Sequence, residues 1–157
     1  NQPIQHMIYL YNYAGQPWKA QEKAREVMDK LYAATPDGYC GDEDNGQTSA
    51  WYVFSALGFY PVAPATGQFV IGSPLFEKVT LYLQNGKEFE IRALDNGPEN
   101  RYVHQAWLND QPLQRTWIAT DEIQDGGELR FKMAKDANEN WGTSKEAVPY
   151  SWSLDVP

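Results

Sequence analysis

The 157-residue sequence predicts an α+β chain, with helical hairpins first and antiparallel β-sandwich strands after them. Two observations carry that assignment. Apolar residues recur at helical spacing from Pro3 to about Leu57, and after Pro64 their period falls to two. Between two of the alternating runs stands Asn85-Gly86, a strong short-range hairpin signal. The expected divisions are helices over residues 1–60, a linker over 61–67 and a β unit over 68–157.

Each element has its own reason. Ile4, Met7, Ile8 and Tyr11 fall at i, i+3, i+4 and i+7, which puts them on one face of a first helix. Tyr13-Ala14-Gly15-Gln16 interrupts it, and Pro17 suits the first turn of a second helix. There Ala24, Val27, Met28, Leu31 and Tyr32 repeat the spacing, with Lys19, Glu22, Lys23 and Glu26 on the solvated side. Thr35-Pro36-Asp37-Gly38 ends that helix, because proline disfavours the helical conformation in the residue before it. A third helix from about Gly46 to Leu57 is apolar nearly all round, and Gly58 is placed to close it. A helix of that kind needs other helices around it. Three cannot enclose it, and the chain starts at Asn1 without an initiator Met, so the sequence reads as part of a longer protein. Beyond Pro64, Val79, Leu81 and Leu83 alternate with polar residues, as do Phe89, Ile91 and Ala93. Further strands are expected at Tyr102 to Leu108 and at Leu129, Phe131 and Met133.

Composition excludes several function classes. With 21 acidic against 13 basic side chains the net charge is −8, and no run of Lys and Arg offers a nucleic-acid or polybasic membrane surface. The apolar stretch from Ala50 to Ala65 is too short and too broken by Ser55, Gly58, Pro61 and Pro64 to span a membrane. One cysteine, Cys40, allows neither an internal disulfide nor a multi-thiolate metal site. Aromatic residues make up 14% of the chain, a density that serves large cores and also sugar-stacking surfaces.

The densest polar constellation is Gly41-Asp42-Glu43-Asp44-Asn45-Gly46-Gln47. Three adjacent carboxylates require relief by a cation, by donors or by solvent. At the mouth of the third helix they meet free N–H groups and the positive end of the helix dipole, which favour the ionised form. An ionised carboxylate suits a general base or a metal ligand, and not a general acid. The alternative is plain N-capping by Asp44 or Asn45 on a solvated loop. An EF-hand is excluded: the glycine falls one place early, and Val53 stands where the bidentate Glu belongs. His6 lies on the first helix near Asn1, Gln2 and Gln5, and His104 reads as a structural residue of a strand.

Three strings say more than spacing does. They are Tyr9-Leu10-Tyr11-Asn12-Tyr13-Ala14-Gly15-Gln16-Pro17-Trp18, the acidic loop from Cys40 to Gln47, and Ser49-Ala50-Trp51-Tyr52-Val53-Phe54-Ser55-Ala56-Leu57-Gly58-Phe59-Tyr60-Pro61. With Ile71-Gly72-Ser73-Pro74-Leu75-Phe76, they resemble the C-terminal region of glycoside hydrolase family 92, the calcium-dependent exo-acting α-mannosidases. The resemblance implies that the helices are the last of an (α/α)6 toroid, followed by β-sandwich strands. It implies inverting hydrolysis of terminal α-linked mannose, of α-1,2 type, in mannose-rich glycans. Inversion needs an acid and a base about 6.5–9.5 Å apart with a water between. By resemblance Asp44 is the base and Asp42 assists it, while no position here matches the family's acid. Calcium is implied, with Asn1 and Gln2 as ligands; Gln2 replaces a family carboxylate and removes one negative charge. His6 and Glu43 are implied to contact the mannose-containing oligosaccharide. Tyr11 and Trp18 are equally candidates for the pocket and for the core. The remaining partner is the rest of the same polypeptide, and the implied location is periplasmic or secreted. An isolated chain lacking the acid is expected to hydrolyse little. A non-catalytic carbohydrate-binding module and an inactive family member are the alternatives.

Overall fold

A computed structural model describes residues 4–154. The architecture is α+β, helices first and sheets after them, as the change of period requires. A 3-10 turn over Met7–Tyr9 runs into a short helix α1 (Leu10–Tyr13), followed by α2 (Pro17–Leu31) and α3 (Gln47–Leu57). Proline occupies the first position of α2, where its missing N–H has no intrahelical partner to lose. Gly58 ends α3 at φ +103, a conformation its missing Cβ permits, and a Cβ there would stand 3.0 Å from Pro74, a tight contact.

The first segment differs from expectation. Instead of one helix burying Ile4, Met7, Ile8 and Tyr11, it is a 3-10 turn and one helical turn, and Ile4, Met7 and Tyr11 are exposed. Tyr9 and Asn12 are buried in their place. Tyr9 is captured from the opposite side: its hydroxyl lies 2.8 Å from Ser55 Oγ, and its ring stacks on Tyr60 at 5.2 Å. Of the apolar stripe that the spacing picked out, Ile8 packs against this chain's own core, while Ile4, Met7 and Tyr11 are turned to the surface.

The strands form two sheets. The small one orders β1 (Phe59–Tyr60), β2 (Gln68–Ile71) and β7 (Trp117–Ala119), all antiparallel. Residues 61–67, expected as a linker, join β1 to β2 through a 3-10 turn at Pro64–Thr66. The large sheet runs β3 (Lys78–Tyr82), β4 (Glu88–Leu94), β8 (Gly127–Ala134), β5 (Tyr102–Leu108) and β6 (Gln111–Pro112). The expected β3–β4 hairpin forms, with Val79 facing Ile91 and Leu81 facing Phe89. One pairing departs from the expected antiparallel pattern: β8 inserts beside β4 in parallel. The burial of β8 explains its central place, since Leu129, Phe131 and Met133 are all enclosed and need neighbours on both sides. His104 sits at an irregularity in the β5–β8 register, exposed, with its carbonyl accepting from Asn138. Short helix α4 (Thr120–Gln124) precedes β8.

Helices and sheets are fastened along α2. Gln21 Oε1 accepts the Val103 amide at 3.0 Å, and Arg25, only 4% exposed, donates to Ser73 Oγ at 3.0 Å and to Asn96 Oδ1. Burial lowers the pKa of that guanidinium, the expected response of a charge taken from water.

Candidate active site

The acidic loop is delivered to α3 by a chain reversal. Residues 33–38 turn back on themselves, with the Ala33 amide bonded to the Gly38 carbonyl at 2.9 Å, and Tyr32 bridges to Tyr39. Residues Asp44, Asn45 and Gly46 then take φ values of +54, +57 and +97, three left-handed positions in succession. Asn and Asp tolerate that region better than other side chains, and Gly accepts it freely. The composition of the loop is therefore what its backbone requires.

Neither Asp44 nor Asn45 stands at the N-cap position of α3. Gly46 occupies the N-cap position and supplies no side chain. Glu43 reaches forward instead, its Oε1 accepting the Ser49 amide at 3.3 Å, while its Oε2 is buried without a hydrogen-bond partner. The Glu43 carbonyl accepts the Thr48 amide at 3.1 Å. Glu43 thus fastens the loop, and Asp42 and Asp44 flank it, Asp42 exposed and Asp44 half-buried.

The other expected residues are divided. His6 is half-buried in the segment that touches the loop's helix: its neighbour Gln5 donates through Nε2 to Thr48 Oγ1 at 3.1 Å, and the Gln5 carbonyl accepts from Trp51 Nε1 at 2.8 Å. Tyr11 stands apart, exposed, with the Lys19 ammonium 5.8 Å from its ring centre. Trp18 is half-buried at the second residue of α2, about 20 Å of helix axis from the Tyr32 end. Asn1 and Gln2 lie outside the described residues. Among the described residues, no three His, Cys, Asp or Glu side chains converge as a metal site.

Aromatic rings, not charges, dominate the surroundings of the loop. Tyr32 stacks on Trp51 at 5.5 Å and meets Tyr39 and Tyr52, and a cavity of about 400 Å³ opens between Tyr32, Tyr39, Ser49 and Tyr52. Burial, with Cys40, Tyr39 and Glu43 adding to it, holds the Tyr32 phenol well above the ordinary tyrosine range. A larger cavity of about 600 Å³ lies on the sheet side, where Glu122 is already held by Arg115 at 2.5 and 2.6 Å. Size alone is a poor guide here, because the acidic loop is elsewhere. Thr48 escaped the sequence reading. The available signal was a hydroxyl on an otherwise apolar helix, one residue past the helix start.

Comparison with known proteins decides the family. The family model described as "Glycosyl hydrolase family 92 catalytic domain" matches residues 1–135, the acidic loop included. The chain belongs to glycosyl hydrolase family 92. Its fold superposes with a TM-score of 0.93 on the family GH92 inverting mannosidase BT2199 from Bacteroides thetaiotaomicron, at 56% identity, covering 98% of this chain and 21% of that one. The GH92 α-mannosidase BT3965 of the same organism gives 0.93 at 43% identity, covering 97% and 20%. An "uncharacterized secreted glycosidase" from Arthroderma benhamiae is 30% identical over 159 residues, 99% of this chain and 20% of that protein. The family 92 chain described here thus spans about a fifth of the length of these relatives.

Proposed function

We propose that this chain is the base-bearing part of a calcium-dependent, inverting exo-α-mannosidase that cleaves terminal α-1,2-linked mannose from mannose-rich glycans. The observation that carries the proposal is the placement of the acidic loop. Its carboxylates Asp42, Glu43 and Asp44 lie directly before the start of α3, and Glu43 accepts the amide of Ser49 there. A general base must lie within hydrogen-bond reach of the water whose proton it takes. In this reading Asp44 takes the proton of the attacking water and Asp42 helps to orient that water. The acid, on the far side of the sugar, comes from the rest of the polypeptide.

Calcium, when bound, would polarise sugar hydroxyls, with Asn1 and Gln2 offering oxygen ligands. The same reading places the full-length protein in the periplasm or outside the cell. The secreted glycosidase among its relatives supports an extracytoplasmic location. The exposed apolar side chains of the helical half, Ile4, Met7, Leu31 and Val53, support a covering by further chain of the same protein.

The test is mannose release from α-1,2-mannobiose by the full-length protein, with calcium and with a chelator. Turnover is expected with calcium and is expected to fall on chelation. Asp44→Asn should abolish turnover while mannose binding survives. Unchanged turnover in that variant would remove Asp44 from the base role.

A further inference from the structure

We infer that Thr48 is a positioning residue whose hydroxyl, and not its bulk, sets the acidic loop for catalysis. The inference rests on the base assignment above and goes one step beyond it. Thr48 is 2% exposed and is the second residue of α3. Its Oγ1 donates to the Asp42 carbonyl at 2.8 Å and accepts from Gln5 Nε2 at 3.1 Å. Its amide donates to the Glu43 carbonyl at 3.1 Å, and its own carbonyl receives the Tyr32 hydroxyl at 3.4 Å. The side chain thereby ties the loop to the segment carrying His6, and the backbone of the same residue adds the end of α2.

The backbone explains why that tie is needed. Residues held at left-handed φ without being glycine carry strain and persist only where their surroundings over-determine them. Asp44 and Asn45 are such residues, and Gly46 continues the turn. Thr48 fixes the two residues that enter this stretch, Asp42 through its hydroxyl and Glu43 through its amide, while standing two residues beyond its exit. Both ends of the strained segment are anchored by the same residue. Valine has nearly the same shape but neither donates nor accepts, so it would release Asp42 and leave the Gln5 amide without that acceptor.

The experiment uses the full-length protein, with Thr48→Val, Thr48→Ser and Asp44→Asn assayed together on α-1,2-mannobiose. Thr48→Val should lower kcat about tenfold with KM changed by less than about twofold, as expected when positioning is lost and ground-state binding is kept. Thr48→Ser should restore kcat to within about twofold, because it returns the hydroxyl without the methyl group. If Thr48→Val fails to fold, Thr48→Ala carries the same expectation and the serine variant the same rescue. Equal losses in valine and serine variants, tracking a common fall in Tm, would make Thr48 a packing residue and overturn the inference. Wild-type kcat in Thr48→Val, with Asp44→Asn inactive, would overturn it while leaving the base assignment standing. Full turnover in Asp44→Asn would instead overturn the base assignment, and with it this inference.

Discussion

The two halves of the chain differ in how completely each closes its own core. In the sheet half Phe89, Ile91, Val103, Ile118, Leu129 and Phe131 are each at most 1% exposed and pack in one cluster. In the helical half the core is smaller and rich in tyrosine, built on Tyr9, Met28, Trp51, Ala56 and Tyr60, while Ile4, Met7 and Val53 are more than half exposed. Orphaned polar atoms follow the same division. Gln5 Oε1, Asn12 Oδ1, Gln21 Nε2 and Glu43 Oε2 are buried without partners on the helical side, against Trp117 Nε1 on the sheet side. Strands satisfy one another's backbone through the ladder, so a sheet carrying one apolar face needs only a lid. Helices satisfy their own backbone and leave whole apolar stripes to be covered by neighbours. The helices carry the candidate chemistry, and they are also the part that is not self-sufficient.

The contrast breaks most visibly where the sheet core is cut. Phe131→Ala should cost about 3–5 kcal/mol, because the enclosed site has little freedom to collapse around the loss. Denaturant unfolding of the chain should lose most of its stability, and a cost below about 1 kcal/mol would mean that the sheet half is as loosely closed as the helical half. Next in size is the seam. Arg25→Ala removes the donor shared by Ser73 and Asn96 and should cost about 1–3 kcal/mol. It should also separate the unfolding of the two halves. Coincident transitions reported by Trp51 and Trp141 in that variant would show that other contacts carry the coupling.

How much of this was legible follows the same division. The second and third helices, the Asn85-Gly86 hairpin and the strand Tyr102–Leu108 stood in the sequence because their periodicity is local and their buried faces turn toward this chain. The first segment misled because Ile4, Met7 and Tyr11 are patterned for a surface outside it. Strands β1, β2 and β7 are two to four residues long, too short for alternation to register. The parallel seat of β8 is a choice between distant partners that no local window records. In the site, the carboxylate triplet is visible as composition. That Glu43 accepts an amide in the first turn of α3, and that Thr48 ties the loop, depends on backbone angles and on Gln5, 43 residues away from Thr48.

Alkaline pH sharpens the comparison more gently. Burial raises the phenol pKa of Tyr9, Tyr13, Tyr32 and Tyr60 on the helical side or at its edge, against Tyr102 in the sheet half; in Tyr9 the bond with Ser55 offsets part of that rise. A group whose folded pKa is raised contributes stability that is complete below its unfolded value, about 10 for tyrosine, and is lost as pH climbs above it. For fully buried Tyr9 that loss is about 1.4 kcal/mol per pH unit, and solvent screening makes it smaller for Tyr13, Tyr32 and Tyr60. For fully buried Tyr9 the window opens near pH 10, so the helical half should loosen first, with tyrosinate absorbance and Trp51 fluorescence changing before Trp141 fluorescence. Simultaneous change in both tryptophans would place the weakness in the whole chain.

The smallest effect on the chain is the most informative about its surroundings. Val53 projects from α3 with 56% of its surface exposed, on a helix that otherwise buries Trp51, Ser55 and Ala56. A charged residue there has nothing in this chain to displace, so Val53→Lys should change the stability of the isolated chain by less than about 0.5 kcal/mol. The full-length protein is a different solvent for that position. If further chain covers α3, the same substitution buries an unpaired ammonium and should lower the Tm or the soluble yield of the full-length protein sharply. A neutral result in both settings would mean that Val53 faces water in the full-length protein, and that the exposed stripe of Ile4 and Met7 has to be explained separately from α3. A large loss in the isolated chain would locate the cost within the helical half itself, and its core would then be more nearly closed than its exposed side chains indicate.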